Sequence, residues 1–369
     1  LAAGPDAALY LRPSIQLPVG QPIRFRATLP TEGDYVVSFD MAANQSFLVS
    51  PEGQLQVDGA YPVYDAVHIA FPVFYQNSAA EFPLDRYGNQ ALIRQERLVR
   101  WTRVPMRDAN LSFKYPLKLH LAAGEHTFEF RLNRETMLLG SIYIAPYSES
   151  PDYSQYLKDH PAADTSGVSI ALEAEIPSFK NNTSVRPVST RSLEVTPYDT
   201  YRLMLNTLGG ETWKNSGSAA YYVFDVPADG MYCITLREIQ NFKNNFTVFR
   251  RITLNDQVLF DQLNEVPFGY STQWQNVTLG GEQPFKFYLK KGQNVLGIEA
   301  TDSPYVPAID NLRKSLADIN ALSLEIRKLT GNQVDQYKEW VISDYIPDIR
   351  PRLLTIAGHL ERDRDMLTA

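Results

Sequence analysis

Two stretches of this sequence occur twice, and a repeat of this kind restricts the fold more than any composition figure. PTEGDY, Pro30 to Tyr35, returns as PADGMY, Pro227 to Tyr232. PLKLHLAAGEH, Pro116 to His126, returns as PFKFYLKKGQN, Pro284 to Asn294, with Gly at the ninth position both times. A Trp precedes the second stretch in each copy, Trp101 and Trp274. Pro-x-x-Gly sets a turn in which Gly can take positive φ, and the Tyr after it opens a strand. Leu117, Leu119 and Leu121 alternate with Lys118 and His120, as Phe285, Phe287 and Leu289 alternate before Lys-Lys-Gly. One face of each strand is therefore buried and the other wet. The copies are offset by 197 residues at the first element and by 168 at the second. The first copy must carry about 29 extra residues, which fit best in the loops from Tyr61 to Arg97.

The expectation is a mainly β chain with a C-terminal α segment. Two tandem antiparallel β-sandwich domains of the jelly-roll kind are followed by a helical hairpin. The predicted boundaries are 1–147 for the first sandwich, 148–167 for a polar linker and 168–303 for the second sandwich. Residues 308–369 form the helical segment, and a length of 369 residues suits this division. After Pro307 the apolar period lengthens. Leu312, Leu316, Ile319, Leu322, Ile326 and Leu329 predict an amphipathic helix closed by Gly331, and a second helix begins between Ser343 and Pro351. Ala369 is not followed by a Gly or Pro stop signal, so the reading expects the helical segment to lead into an absent C-terminal part. A start at Leu1, without an initiator Met or a basic-then-apolar leader, reads as a processed or trimmed form, from which a signal sequence could have been removed.

Acidic and basic residues are interspersed and the net charge is −7. Nucleic acid and anionic lipid surfaces both need a concentrated positive field, so neither is expected as a partner. No run of eighteen apolar residues is present, so no transmembrane segment is expected in this chain. The lone cysteine, Cys233, lies in the alternating run Met231-Tyr-Cys-Ile and reads as a small buried hydrophobe. Aromatic residues make up 12% of the chain, 21 of them Tyr. Pyranose C–H faces stack on such rings, so the composition suits a glycan binder, although Tyr and Phe also simply fill sheets.

Catalytic signatures are scarce. His68, His120, His126, His160 and His359 show no metal-ligand spacing, and no nucleophile elbow, P-loop or Cys–His arrangement is present. Glu173 and Glu175, two apart on a predicted strand, share one face. They fit a structural calcium ion or a salt bridge better than a glycosidase pair, because no converging partner acid is evident. For ligand binding, Trp213, Lys214 and Asn215 lie in a Gly-flanked loop, where the indole either stacks on a sugar or plugs the sandwich. The polar loop Asn241–Asn245, with Asn244 and Asn245, could line the same mouth. Tyr64 and Tyr75 flank the extra residues of the first copy. Trp101 and Trp274, at matching positions, read as core. The basic run Arg94–Arg103 reads as a solvated edge that could also meet an acidic glycan.

Some of these residues carry a resemblance. Leu172-Glu-Ala-Glu175, Gly217-Ser-Ala-Ala-Tyr-Tyr-Val-Phe-Asp-Val-Pro-Ala-Asp-Gly-Met-Tyr232 and the strand before Gly292 resemble the galactose-binding-like sandwich of carbohydrate-binding modules. At longer range the chain resembles the N-terminal region of large extracellular solute-binding lipoproteins of bacterial ABC sugar importers. In the first copy this rests on Asp85-Arg-Tyr-Gly-Asn89, Gln95-Glu96, Trp101, Asp108, Gly124-Glu-His-Thr127 and Arg134-Glu-Thr-Met137. In the second copy it rests on Leu205-Asn-Thr-Leu-Gly-Gly-Glu-Thr-Trp213 and Leu254-Asn-Asp-Gln. In the helical part it rests on Lys328-Leu-Thr-Gly331 and Tyr345-Ile-Pro347. Asn255-Asp256 replaces the Asp-Gly of such relatives and keeps the hairpin chemistry.

The resemblance implies a non-catalytic, carbohydrate-binding region at the cell surface, lipid-anchored upstream of Leu1. Its partners would be an oligosaccharide or polysaccharide and an ABC permease, the latter reached through solute-binding domains beyond Ala369. It also implies that Glu173 and Glu175 help hold calcium. Two other readings fit the residues: an accessory module or part of a secreted glycoside hydrolase or polysaccharide lyase, and a structural spacer or docking scaffold.

Overall fold

The computed structural model describes residues 10, 12–43, 49–161, 165, 167–242, 244, 246–331, 334 and 337–368. The chain divides into a β unit, residues 1–243 with 247–301, and a helical unit, residues 244–246 with 302–369.

The first half of the β unit holds β1 (Ile15–Leu17), β2 (Pro22–Leu29), β3 (Gly33–Ala43), β4 (Glu52–Val57), β5 (Ile69–Ala70), β6 (Phe74–Asn77) and β7 (Gln95–Leu98). It continues with β8 (Thr102–Pro105), β9 (Leu119–Leu121), β10 (Gly124–Arg134) and β11 (Met137–Pro146). One sheet runs β1-β11-β3-β8, with β9 also on β3, and the other runs β2-β10-β4-β5. Alternation decides which side chains meet between them. Tyr35, Val37, Phe39 and Met41 of β3 face Phe128, Phe130 and Leu132 of β10, all buried in one core. Phe39, Phe71 and Phe130 pack edge-on or tilted, with centroids 4.7 to 5.8 Å apart.

The second half begins with a short helix, α1 (Tyr153–Asp159), and continues with β12 (Phe179–Lys180), β13 (Pro187–Val188), β14 (Thr207–Leu208), β15 (Ala219–Val226), β16 (Gly230–Tyr232) and β17 (Thr235–Glu238). Then come β18 (Val248–Leu254), β19 (Val266–Phe268), β20 (Gln275–Thr278), β21 (Phe287–Leu289) and β22 (Gly292–Thr301). Its main sheet runs β19-β18-β22-β15-β12-β6-β7. The last two strands come from the first copy. The extra residues predicted between Tyr61 and Arg97 thus supply a hairpin that lengthens the second copy's sheet, joined where Lys180 pairs with Tyr75.

The sequence repeat reappears as a repeat of register. Gly33 pairs with Leu121 and Tyr35 with Leu119, just as Gly230 pairs with Leu289 and Tyr232 with Phe287. The Tyr35 hydroxyl donates to the Thr31 carbonyl at 2.7 Å, and the Tyr232 hydroxyl to the Ala228 carbonyl at 2.8 Å. Each Tyr therefore ties its strand back to the turn before it. The Gly that closes each β9-type strand has positive φ, 128° at Gly124 and 96° at Gly292, which a side chain would resist.

Four expectations change. Residues 148–167 include an ordered helix capped by Asp152, and it buries Tyr156 against Phe260, so this helix packs on the second core. Leu172–Glu175 is a turn rather than a strand. Ile176 N–H closes on the Glu173 carbonyl, the Tyr222 hydroxyl takes the Ala174 carbonyl, and Pro177 has no N–H for a ladder. Cys233 is exposed, because β16 ends at Tyr232 and the inward phase moves to Ile234 and Leu236. Arg100, in the run expected to be solvated, lies over the rings of Phe74 and Phe179 and bonds Asp256 at 2.6 Å.

The helical unit holds α2 (Val306–Thr330), α3 (Ile342–Tyr345) and α4 (Ile349–Thr368). Gly331 ends α2, its N–H on the Arg327 carbonyl. Ala308, Ser315 and Leu322, spaced by seven, are the buried positions of α2. Arg352 of α4 grips Glu325 through two bonds of 2.8 and 3.0 Å. The apolar stripe read from the sequence is only partly used: Leu312, Leu316 and Ile319 remain exposed, as do Leu353 and Leu354.

Tyr35→Phe removes a hydrogen bond at a site only 2% exposed and leaves the Thr31 carbonyl without it. It should cost about 1 kcal/mol in denaturant unfolding. Tyr232→Phe, at a more exposed turn, should cost less.

Candidate functional site

An opening in the β unit lies where the two sandwiches meet, with a volume of about 630 Å³. That is within the roughly 300–1,000 Å³ typical of small-ligand sites. One wall is the outer face of the second copy's sheet. Ile252 and Leu254 of β18 point into the core, so Arg251 and Thr253 point away from it and into the opening. Arg251 pairs in register with Glu299 of β22, and Thr253 with Gly297. A side chain at Gly297 would collide with Thr253 and with the ring of Tyr221, so glycine keeps this face flat. The opposite wall comes from the first copy and includes Arg107, Tyr115 and Tyr147.

Charge is arranged unequally across this cleft. Arg107 is 8% exposed. It donates to Glu299 at 2.9 Å and to the carbonyls of Leu111 and Phe113 at 3.3 and 3.1 Å. Arg251 makes no side-chain hydrogen bond or ion pair among the described residues. Burial and then the neighbouring Arg107 push its pKa down to about 10, with Glu299 opposing, so it stays cationic at neutral pH. Two buried polar atoms at the cleft, Arg107 Nε and Tyr147 Oη, have no partner. Native interiors seldom leave such groups unsatisfied, and both atoms are able to take a further hydrogen-bond partner. The rim is tied down from both copies. Lys114 bridges Asp261 and Glu265 at 2.9 and 3.2 Å, and the Tyr115 hydroxyl donates to Asp261 at 2.8 Å. Burial alone would lower the Lys114 pKa, but the two carboxylates raise it strongly.

None of Trp213, Lys214, Asn215, Asn244, Tyr64 and Tyr75 lines this cleft. Trp213 is 8% exposed, its indole N–H donates to the Ser218 carbonyl at 2.7 Å, and Arg250 lies over its ring. The indole is therefore a plug of the second core, and the stacking surface expected of it is not open. Lys214 pairs with Glu211 at 3.0 Å on the surface, and Asn215 is exposed beside it. Asn244 is exposed, and Asn245 lies outside the described residues. Tyr64 stands out to solvent on a 3-10 turn, while Tyr75 is half-buried in β6.

Glu173 and Glu175 line a second opening of about 330 Å³ with Phe82, Gln90 and Leu205. Glu175 is buried and Glu173 exposed. Burial, with the charge of Glu173, raises the Glu175 carboxyl above its usual range. Among the described residues, no three acidic, His or Cys side chains gather where a metal ion could sit. The pair thus gives calcium two carboxylates, one of them inclined to hold a proton, against the 6–8 oxygens the ion takes.

Arg251 was missed in the sequence because Arg250-Arg251 reads as an ordinary polar interruption of a strand. The alternation with Ile252 and Leu254 was the available signal, since it sets Arg251 on the outer face.

Residues 307–369 match the family model of the bacterial solute-binding protein 4-helix bundle domain. No curated protein matches the sequence. Among solved structures, the Listeria monocytogenes cycloalternan-forming enzyme in complex with a pentasaccharide substrate is similar over 75% of this chain, at 12% identity and a TM-score of 0.24. A Paenibacillus sp. cycloisomaltooligosaccharide glucanotransferase complexed with cycloisomaltoheptaose is similar over 80%, at 11% identity and a TM-score of 0.22. This chain spans 17% and 43% of those two chains, and no property of either enzyme is carried over at such scores. No helix of the described residues is long and apolar enough to cross a membrane.

The buried Glu175 carboxyl has a testable consequence. Its folded pKa lies above its unfolded one, so the folded state holds the proton longer. Stability is then greatest below about pH 4 and is lost as pH rises through the usual carboxylate range to the folded pKa. Glu175→Gln should raise the melting temperature at pH 7 and leave it unchanged near pH 4.

Proposed function

We propose that this chain is the non-catalytic, carbohydrate-binding region of an extracellular solute-binding protein serving a bacterial ABC sugar-import system. The observation that carries the proposal is the match of residues 307–369 to the solute-binding-protein helical domain, joined in one chain to a pair of sandwiches with a ligand-sized cleft between them. The cleft has what a glycan asks for. Tyr115 and Tyr147 pack edge to face at 6.3 Å, and unused donors and acceptors lie among buried walls.

Helices α2 and α4 would supply two members of the bundle named by the family. Their exposed Leu312, Leu316, Ile319, Leu353 and Leu354 then become contacts for further helices rather than a wetted apolar surface. Glycan capture by the β unit and delivery towards a permease by solute-binding parts would be separate tasks of one protein.

The expected outcome is oligosaccharide binding in the micromolar-to-millimolar range by calorimetry on the whole chain, with no release of reducing sugar from a polysaccharide panel. Turnover that survives purification and is lost in Glu175→Gln would replace this reading with an enzymatic one.

A further inference from the structure

We infer that the cleft between the sandwiches takes a sugar bearing a carboxylate, a uronate residue, with Arg251 as its charge partner. The inference rests on the glycan-binding reading and specifies the class of glycan. Its basis is a charge imbalance. Arg103 is matched by Asp40 at 2.8 Å and Arg100 by Asp256 at 2.6 Å. Arg107 is matched by Glu299. Arg251 is left with no carboxylate of its own, although it projects into the cleft from a strand of the wall. A half-buried cation without a partner is costly, and a ligand carboxylate answers it with a charge-assisted pair.

The two unsatisfied atoms extend the argument from an anion to an acidic sugar. A simple anion needs only the guanidinium. Arg107 Nε can donate to a ring or hydroxyl oxygen, and the Tyr147 hydroxyl can donate to or accept from a second hydroxyl. Tyr147 is also crossed on its ring face by Lys118 Nζ at 3.7 Å, which adds positive potential at that end of the wall. A cleft with one surplus guanidinium and two polar atoms awaiting hydroxyl-type partners matches a uronate better than a neutral hexose.

The test uses the full chain in calorimetric titrations with trigalacturonate, with maltotriose as a neutral trisaccharide and with sodium acetate as a bare carboxylate. Trigalacturonate should bind at least about tenfold more tightly than the other two, the worth of one charged hydrogen bond. Arg251→Gln should erase that preference. Because a strand substitution can disturb folding, Tyr147→Phe serves as the second variant. Its hydroxyl has no partner in the free protein, so removing it should weaken trigalacturonate binding without lowering the melting temperature. Equal binding of trigalacturonate and maltotriose overturns the inference while the glycan-binding reading stands. Acetate binding as well as trigalacturonate overturns the sugar part, and no binding by any of the three overturns both.

Discussion

Lys180 and Tyr75 are partners in a β ladder, and that register position joins the two sequence repeats into one sheet. Strand β12 has only two residues, yet it pairs with β15 on one side and with the first copy's hairpin on the other. Lys180 is 2% exposed and its ammonium donates to the Val185 carbonyl. Burial, with some help from Arg186, draws its pKa down to about 8. A buried lysine is tolerated where its donors are used, and here the ammonium ties β12 to the loop that follows it. Because the ladder runs through it, the two cores cannot turn against each other without breaking main-chain bonds. The cleft takes its walls from that fixed angle.

The charges at the junction follow from the same geometry. Arg100 lies against Phe74 and Phe179, one ring from each copy, and reaches Asp256 in the Asn255-Asp256 turn. Arg107 reaches Glu299 and Lys114 reaches Asp261, again from the first copy to the second. Buried pairs of this kind add little net stability against an apolar contact, but breaking one leaves a stranded charge and so resists misalignment. Their effect is to fix how the sandwiches meet. Arg251 is the one charge on the wall that this scheme leaves unmatched among the described residues, which is why the cleft has a sign.

The fold was legible wherever a local pattern governs it. Alternation around Leu119 and Phe287, the Pro-x-x-Gly turns and the change of period after Pro307 all correspond to observed strands, turns and helices. The site was much less legible. Trp213 was weighed as an open stacking surface or a plug, and the second core takes its indole, whose N–H donates to the Ser218 carbonyl. Glu173 and Glu175 looked like a strand pair, and Pro177 removed the strand. Arg100 looked solvated because the rings that enclose it lie 26 residues before and 79 residues after it in the sequence. The two copies that form the cleft walls are joined where a hairpin in one repeat pairs with a two-residue strand of the other. No local periodicity announces such a pairing.

The central claim is that a glycan is held between the sandwiches rather than at a loop or sheet end. Amide hydrogen exchange of the intact chain, with and without saturating oligosaccharide, tests it most directly. The account predicts slowed exchange at Arg251–Thr253, around Arg107 to Tyr115 and at Tyr147, with little change elsewhere. Protection confined to the Gly209–Asn215 loop, or absent from both walls of the cleft, would contradict it.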